Sequence, residues 1–171
     1  MIFLGGLEKG EIKKEFGKLK KKLLIFSFLS FYLNCVVATK IDEALYNKDL
    51  TRSYNQSKEK TFQATIQALK EFNIAIEKQD KEKGIIVTEK TPFYELIQFT
   101  GNQYVANGQS YVAYHKYYLQ ISGDKSSSTV KTVKYRLWNN NIEQTELNAE
   151  WCKQNVWDPL FKEIQIKIDG F

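Results

Sequence analysis

Ser57–Thr88, SKEKTFQATIQALKEFNIAIEKQDKEKGIIVT, changes its hydrophobic period halfway along, and that change decides the fold class. Phe62, Ile66 and Leu69, with Thr65 and Phe72 alongside, recur at helical spacing, while Lys58, Glu59, Gln63, Gln67, Lys70 and Glu71 fill the other side. Ser57 suits an N-cap, and Asn73 suits the left-handed residue that ends a helix. From Ile74 the period becomes two. Ile74 and Ile76 alternate with Ala75 and Glu77, a charged loop ends at Gly84, and Ile85-Ile86-Val87-Thr88 follows at once. A helix leading into a Gly-bearing hairpin is predicted.

Downstream, Tyr111–Ile121 alternates cleanly. Tyr111, Ala113, His115, Tyr117, Leu119 and Ile121 are expected inward, and Val112, Tyr114, Lys116, Tyr118 and Gln120 outward. After the turn GDKSSS (Gly123–Ser128), Thr129–Trp138 is expected to return with Val133, Tyr135 and Leu137 inward and Thr132, Lys134, Arg136 and Trp138 outward. Between the two pairs, Thr91-Pro92 reads as a strand break, and Phe93–Ser110 as an irregular strand or hairpin whose aromatics cover part of the sheet. Thr145–Asp169 reads as helical. Its Asp158-Pro159 is an N-cap and N1 pair that predicts a kink or break near Trp157. The expected architecture is α+β: a four-stranded antiparallel sheet packed against two helices.

The run Gln67–Thr88 is similar to the opening of the helix-grip domains in the BamC (NlpB) family of outer-membrane lipoproteins. Ala68, Leu69, Ile74, Ile76, Asp80, Gly84, Ile85, Ile86 and Thr88 carry the similarity. It implies a helix-grip-like domain and a non-enzymatic role in envelope assembly or maintenance.

Upstream, Lys18–Cys35, KLKKKLLIFSFLSFYLNC, has a basic segment followed by an eleven-residue apolar run, Leu23–Leu33, interrupted by Ser27 and Ser30. That is signal-peptide length, short of the roughly 20 residues a membrane-crossing helix requires. The order Tyr32-Leu33-Asn34-Cys35 resembles a loose bacterial lipobox. The resemblance implies cleavage before Cys35, a diacylglyceryl thioether on its thiol and an acylated amino terminus. Val36 in place of Asp next to the lipidated Cys implies the outer membrane. An uncleaved anchor over Leu23–Ala38 and a buried apolar helix are the other readings of this run, and a start downstream of Met1 would account for the long leader.

The expected organisation is a leader and signal over 1–34, a polar tether over 35–56 and the folded domain over 57–171. Residues 1–34 hold seven Lys and three Glu, so 18 of 25 basic and 17 of 20 acidic residues remain beyond them. The net charge of +5 thus belongs mostly to the leader and is no argument for nucleic-acid binding.

The chemistry-bearing residues are sparse. His115 lies on the expected core face and Cys152 on the last helix, which is too few ligands for zinc and lacks the surroundings of a nucleophilic Cys–His pair. Phosphate-loop, nucleotide-binding and nucleophile-elbow motifs are absent from the sequence. The sequence therefore predicts no catalytic residues, cofactor or metal. Tyr114, Tyr118 and Trp138, together with Tyr94 and Tyr104, form the candidate binding face, since Tyr and Trp are enriched in recognition surfaces. Burial of these rings under the 93–110 segment or the last helix is the competing reading. The expected partners are the membrane, through Cys35, and another envelope protein. The alternative function is a carrier that holds a small apolar ligand between the sheet and the C-terminal helix.

Overall fold

The computed structural model describes residues 37–102 and 105–170, with side chains outside 95–111. The elements in chain order are β1 (Thr39–Lys40), α1 (Glu43–Asp49), β2 (Thr51–Tyr54), α2 (Lys58–Glu71), β3 (Ile76–Asp80), β4 (Ile85–Thr88), β5 (Thr91–Asn102), β6 (Val105–Gly123), β7 (Ser128–Asn139), β8 (Ile142–Gln144), β9 (Glu146–Leu147), α3 (Ala149–Cys152), a π-helical turn (Lys153–Trp157) and α4 (Asp158–Asp169). The Ser57 hydroxyl accepts the Lys60 N–H at 3.3 Å and starts α2. Asn73, at φ 55°, ends it. Gly84 turns the β3–β4 hairpin at φ 68°, where an added Cβ would lie 2.0 Å from the Ile121 carbonyl oxygen. No other residue fits there.

The sheet is antiparallel and has seven strands rather than four. The expected four are present as β3-β4-β6-β7. Three more join them. β2 lies along the start of β7 and β8 along its end, while β5 takes up β6 beyond the point where β4 leaves it. Thr91-Pro92 therefore opens a strand instead of breaking one. Pro92 sits near the beginning of β5, where a missing N–H is tolerated. A second 2-stranded sheet pairs Thr39 with Leu147 and Lys40 with Glu146.

The inward set on β7 also differs from expectation. Tyr118 pairs with Lys134 but Leu119 pairs with Thr132, which leaves Val133 as the extra residue of a bulge. Thr132 is consequently fully buried and Val133 is 51% exposed, the reverse of the alternation read from the chain.

Helices α2 and α4 pack side by side over one sheet face. Phe62, Ala68 and Leu69 from α2 and Leu160, Phe161, Ile164 and Ile168 from α4 meet Tyr117, Leu119, Ile121, Val130, Tyr135 and Leu137 from β6 and β7. Residues 39–54, expected within the tether, are part of this domain. Leu45, Leu50 and Tyr54 lie in its core, the Tyr54 hydroxyl donates to the Phe161 carbonyl at 3.1 Å, and the Asp42 carboxylate caps α1 at the Leu45 N–H. Cys35 lies outside the described residues. Among the described residues no helix is long and apolar enough to cross a membrane.

The C-terminal helix does not break at Trp157. The Asp158 N–H bonds to the Lys153 carbonyl across a widened π turn, which carries the chain into Pro159 at the first turn of α4. Asp158 is itself helical and caps nothing. Its carboxylate pairs with Lys153 and with Arg52, the latter at 2.6 Å, joining β2 to α4.

Leu50, with no exposed surface, measures how far the 39–54 segment belongs to the core. Leu50→Ala is expected to lower the free energy of urea unfolding by about 2–5 kcal/mol. A loss below about 0.5 kcal/mol, the scale of surface substitutions, would return the segment to the status of a tether.

Candidate binding surface

The helices cover only one face of the sheet. On the other, three consecutive outward pairs join β6 to β7: Tyr114 opposite Trp138, Lys116 opposite Arg136, and Tyr118 opposite Lys134. Period-two alternation along Tyr114–Tyr118 puts these three β6 residues on one side, and the bulge at Val133 falls beyond the last of them. Aromatic and cationic side chains consequently form a ladder.

Its members stack on one another. The Lys90 Nζ lies 4.8 Å from the Tyr114 ring centroid and 5.0 Å from that of Trp138, and the Arg136 guanidinium lies 4.9 Å from the same indole. Tyr118 receives Lys116 at 5.3 Å and Lys134 at 5.9 Å. Each such contact contributes about 0.5–1 kcal/mol at an exposed site. Two carboxylates brace the middle row. Glu77, the extra residue of a bulge in β3, pairs with Lys116, and Glu143 of β8 pairs with Arg136 through the Arg Nε at 2.7 Å. Hydrogen bonding to these carboxylates raises the Lys116 and Arg136 pKa values, and the same bond to Arg136 lowers that of Glu143. Lys90 and Lys134 have no carboxylate partner among the described residues. The face thus holds four cations against two carboxylates, with three half-buried rings between them.

Tyr94 is not on this face. Pro92 pairs with Tyr114 and Tyr94 with Ala113, so Phe93 is the extra residue of a third bulge and Tyr94 turns toward the helices. Its ring lies 4.9 Å from that of Trp151. Tyr104 lies outside the described residues. The cations were not singled out as site residues from the sequence, although Lys116, Lys134 and Arg136 alternate with the selected aromatics along the same strands.

Behind β6 and β7, the interior is aromatic and uncharged. His115 is 3% exposed, with Nδ1 3.2 Å from the Tyr135 hydroxyl and its ring stacked on Phe93 at 4.6 Å. Burial lowers its pKa to about 3 and raises that of the Cys152 thiol to about 12. Both groups are held neutral, whereas a nucleophilic Cys–His pair requires the thiolate and imidazolium to be favoured. Two openings flank the start of the C-terminal helix. One, of about 530 Å³, is lined by Tyr94, Leu137, Leu147, Trp151 and Cys152 among others, and one of about 190 Å³ reaches Phe93 and His115. Among the described residues no three His, Cys, Asp or Glu side chains converge as a metal site would require.

His115 ties stability to pH. The folded chain keeps the ring neutral down to about pH 3, whereas the unfolded chain binds a proton near pH 6.5, so its stabilising contribution is full above pH 6.5 and declines as pH falls toward 3. The slope is about 1.4 kcal/mol per pH unit across that window. Urea midpoints measured from pH 7 to pH 4 should fall more steeply for the native chain than for His115→Phe. Parallel profiles would mean that the ring is not held neutral by the fold.

No protein-family model matches the chain, and neither does any curated protein. Among solved structures, a DUF4468 family protein from Bacteroides ovatus is similar at 12% identity, with 77% of this chain and 92% of that chain covered and a TM-score of 0.33.

Proposed function

We propose that the chain is a non-enzymatic protein-interaction module of the bacterial cell envelope, anchored in the outer membrane by a lipid on Cys35 and presenting the β6–β7 ladder to a protein partner. The observation that carries this reading is the ladder itself. Rings held in place by stacked cations form a recognition surface with little side-chain entropy left to lose, and neither α2 nor α4 covers it. The surplus of positive charge suits a partner that offers carboxylates around an apolar patch. The lipobox resemblance supports the anchor, and the BamC-like run supports the envelope role. The neutral His115 and Cys152 supply no activated nucleophile.

A second reading has one observation in its favour. The cleft of about 530 Å³ lies at the junction of sheet and C-terminal helix, where a carrier would hold an apolar ligand. Native mass spectrometry of the purified chain distinguishes it. A carrier retains a co-purifying ligand that Leu147→Trp expels, and a protein-interaction module retains none.

The test of the main reading combines two measurements in cells. Clickable fatty acid should label the native chain and not Cys35→Ser. A photo-crosslinking side chain at position 118 or 138 should give a discrete adduct that the same group at Lys162, exposed on α4, does not. Reversing Lys134 and Arg136 to Glu should weaken the adduct by about tenfold or more, the scale of an interface hot spot. Equal adducts from Lys162, or none from position 118, would reject the ladder as the interacting face.

A further inference from the structure

Strands β5 and β6 outrun the rest of the sheet. Ile142, Asn139, Ala113 and Tyr94 form one register row across β8, β7, β6 and β5, and it is the last row in which β7 takes part. Val112 is still held by Asn140, whose N–H donates to the Val112 carbonyl at 2.9 Å. Beyond it, Leu96–Asn102 and Val105–Tyr111 pair only with each other among the described residues, from Leu96 opposite Tyr111 to Asn102 opposite Val105. These seven pairs make a two-stranded arm about 23 Å long.

The arm lacks charge. No Asp, Glu, Lys or Arg occurs from Leu96 to Tyr111, whereas a stretch of that length at the chain average of 26% would hold about four. Free strand edges in water ordinarily carry charge to prevent pairing with other chains. Its foot is apolar as well. Ile142 is 72% exposed, and Trp151, 38% exposed, rests against Tyr94.

The chain enters the domain at this same end. Thr39 pairs with Leu147, and Leu147 and Tyr94 line one cleft. Only four residue steps separate Cys35 from Thr39, which span at most about 14 Å when extended. The interfacial zone of a leaflet is about 5–8 Å deep. At about 23 Å the arm is longer than that leash.

Resting on the anchor at Cys35 proposed above, we infer that the β5–β6 arm docks on the phospholipid bilayer that holds the anchor. The membrane is a second contact of the domain, in addition to its lipid. Trp151 and Tyr94 stand at the depth where aromatic side chains settle between head groups and water. The β6–β7 ladder lies on the sheet face away from the helices and stays available to a partner.

The experiment uses the full chain processed in cells and reconstituted in phosphatidylethanolamine–phosphatidylglycerol vesicles, with an environment-sensitive fluorophore on Phe99→Cys or Gln98→Cys and, as control, on Lys162→Cys. Buried Cys152, with its thiol held protonated, does not compete for label. Nitroxide-bearing lipid should quench the arm positions by about half, as expected of groups some 5–10 Å into the interface, and leave position 162 unchanged. Mass spectrometry of the same sample reports the lipid on Cys35. Lipidated chain with unquenched arm labels would overturn the arm's docking and leave the anchor standing. Chain without lipid would overturn both. Disulfide-linked dimers of unlabelled Phe99→Cys formed in air, together with unquenched labelled chain, would overturn docking in favour of arm-to-arm pairing.

Discussion

One unpaired residue, Val133, holds the two halves of the inner sheet face in register. With Leu119 opposite Thr132 and Tyr118 opposite Lys134, β7 buries Val130 and Thr132 and then, after the bulge, Tyr135 and Leu137. Without the extra residue one of those halves would face water, because a slip of one position inverts every side chain beyond it. On its outer edge β7 is paired by β2 as far as Lys131 and by β8 from Leu137, and in the gap between them the Tyr46 hydroxyl accepts the Tyr135 N–H at 3.3 Å. A buried backbone donor requires a partner, and here the partner comes from α1. The stretch from Glu43 to the Ser57 cap is thereby drawn onto the sheet, with Leu50 and Tyr54 following it into the core. On the far side of Tyr135 its ring meets that of Trp157 at 5.6 Å and 86°, which seats the last helix. Strand, first helix and last helix converge on that residue.

Bulges also mark where the chain could be read and where it could not. Helix α2 and the β3–β4 hairpin were legible because their signals are local: Ser57 for the cap, Asn73 and Gly84 for left-handed turns, a change of period at Ile74. The outward placement of Tyr114, Tyr118 and Trp138 was legible for the same reason, since alternation on β6 is unbroken from Tyr114 to Tyr118. Tyr94 lies in a stretch read only as an irregular strand or hairpin, where Phe93 is a bulge residue, and Thr132 and Val133 were exchanged because Val133 is itself the extra residue of the other bulge. Period-two counting presumes one partner per residue, and a bulge supplies two against one. The tether reading failed for a different reason. Residues 43–54 are rich in polar side chains, and only three of them, Leu45, Leu50 and Tyr54, are buried apolar groups, too few to make a period. Their burial is decided by tertiary partners such as Phe161 and the Tyr135 N–H, which lie a hundred residues away or across the sheet.

The same two strands separate two kinds of chemistry by alternate residues. Tyr114, Lys116 and Tyr118 look outward into a field of cations and rings, and His115 and Tyr117 between them look inward to an interior that suppresses charge. Tyr117, fully buried, has its pKa raised by burial just as Cys152 does. A desolvated interior of neutral Tyr, His and Cys makes a packed platform, in which the Tyr135 ring meets those of His115, Tyr117 and Trp157 edge-on. That packing underlies the outer face. Rings and guanidinium groups projecting from alternate positions of a fixed strand keep their spacing without support from a covering helix.

Folding of residues 39–54 into the domain changes the geometry of the proposed anchor more than any single contact does. A flexible tether from Cys35 to Gln56 would have let the domain roam, with a root-mean-square reach of about 25 Å. Four residue steps to Thr39 confine it to about 14 Å at full extension. On the proposed anchor, a domain so confined would not sample partners far from the membrane. It would meet those that are themselves at the membrane, where the short leash would raise their effective concentration in the manner of a linked binding site. The entry strand is pinned by its pairing with Glu146 and Leu147, and the ladder lies on the sheet face away from α2 and α4. An outer face of modest area and half-buried rings would then be sufficient, since confinement to a surface would already offset part of the cost of bringing two proteins together.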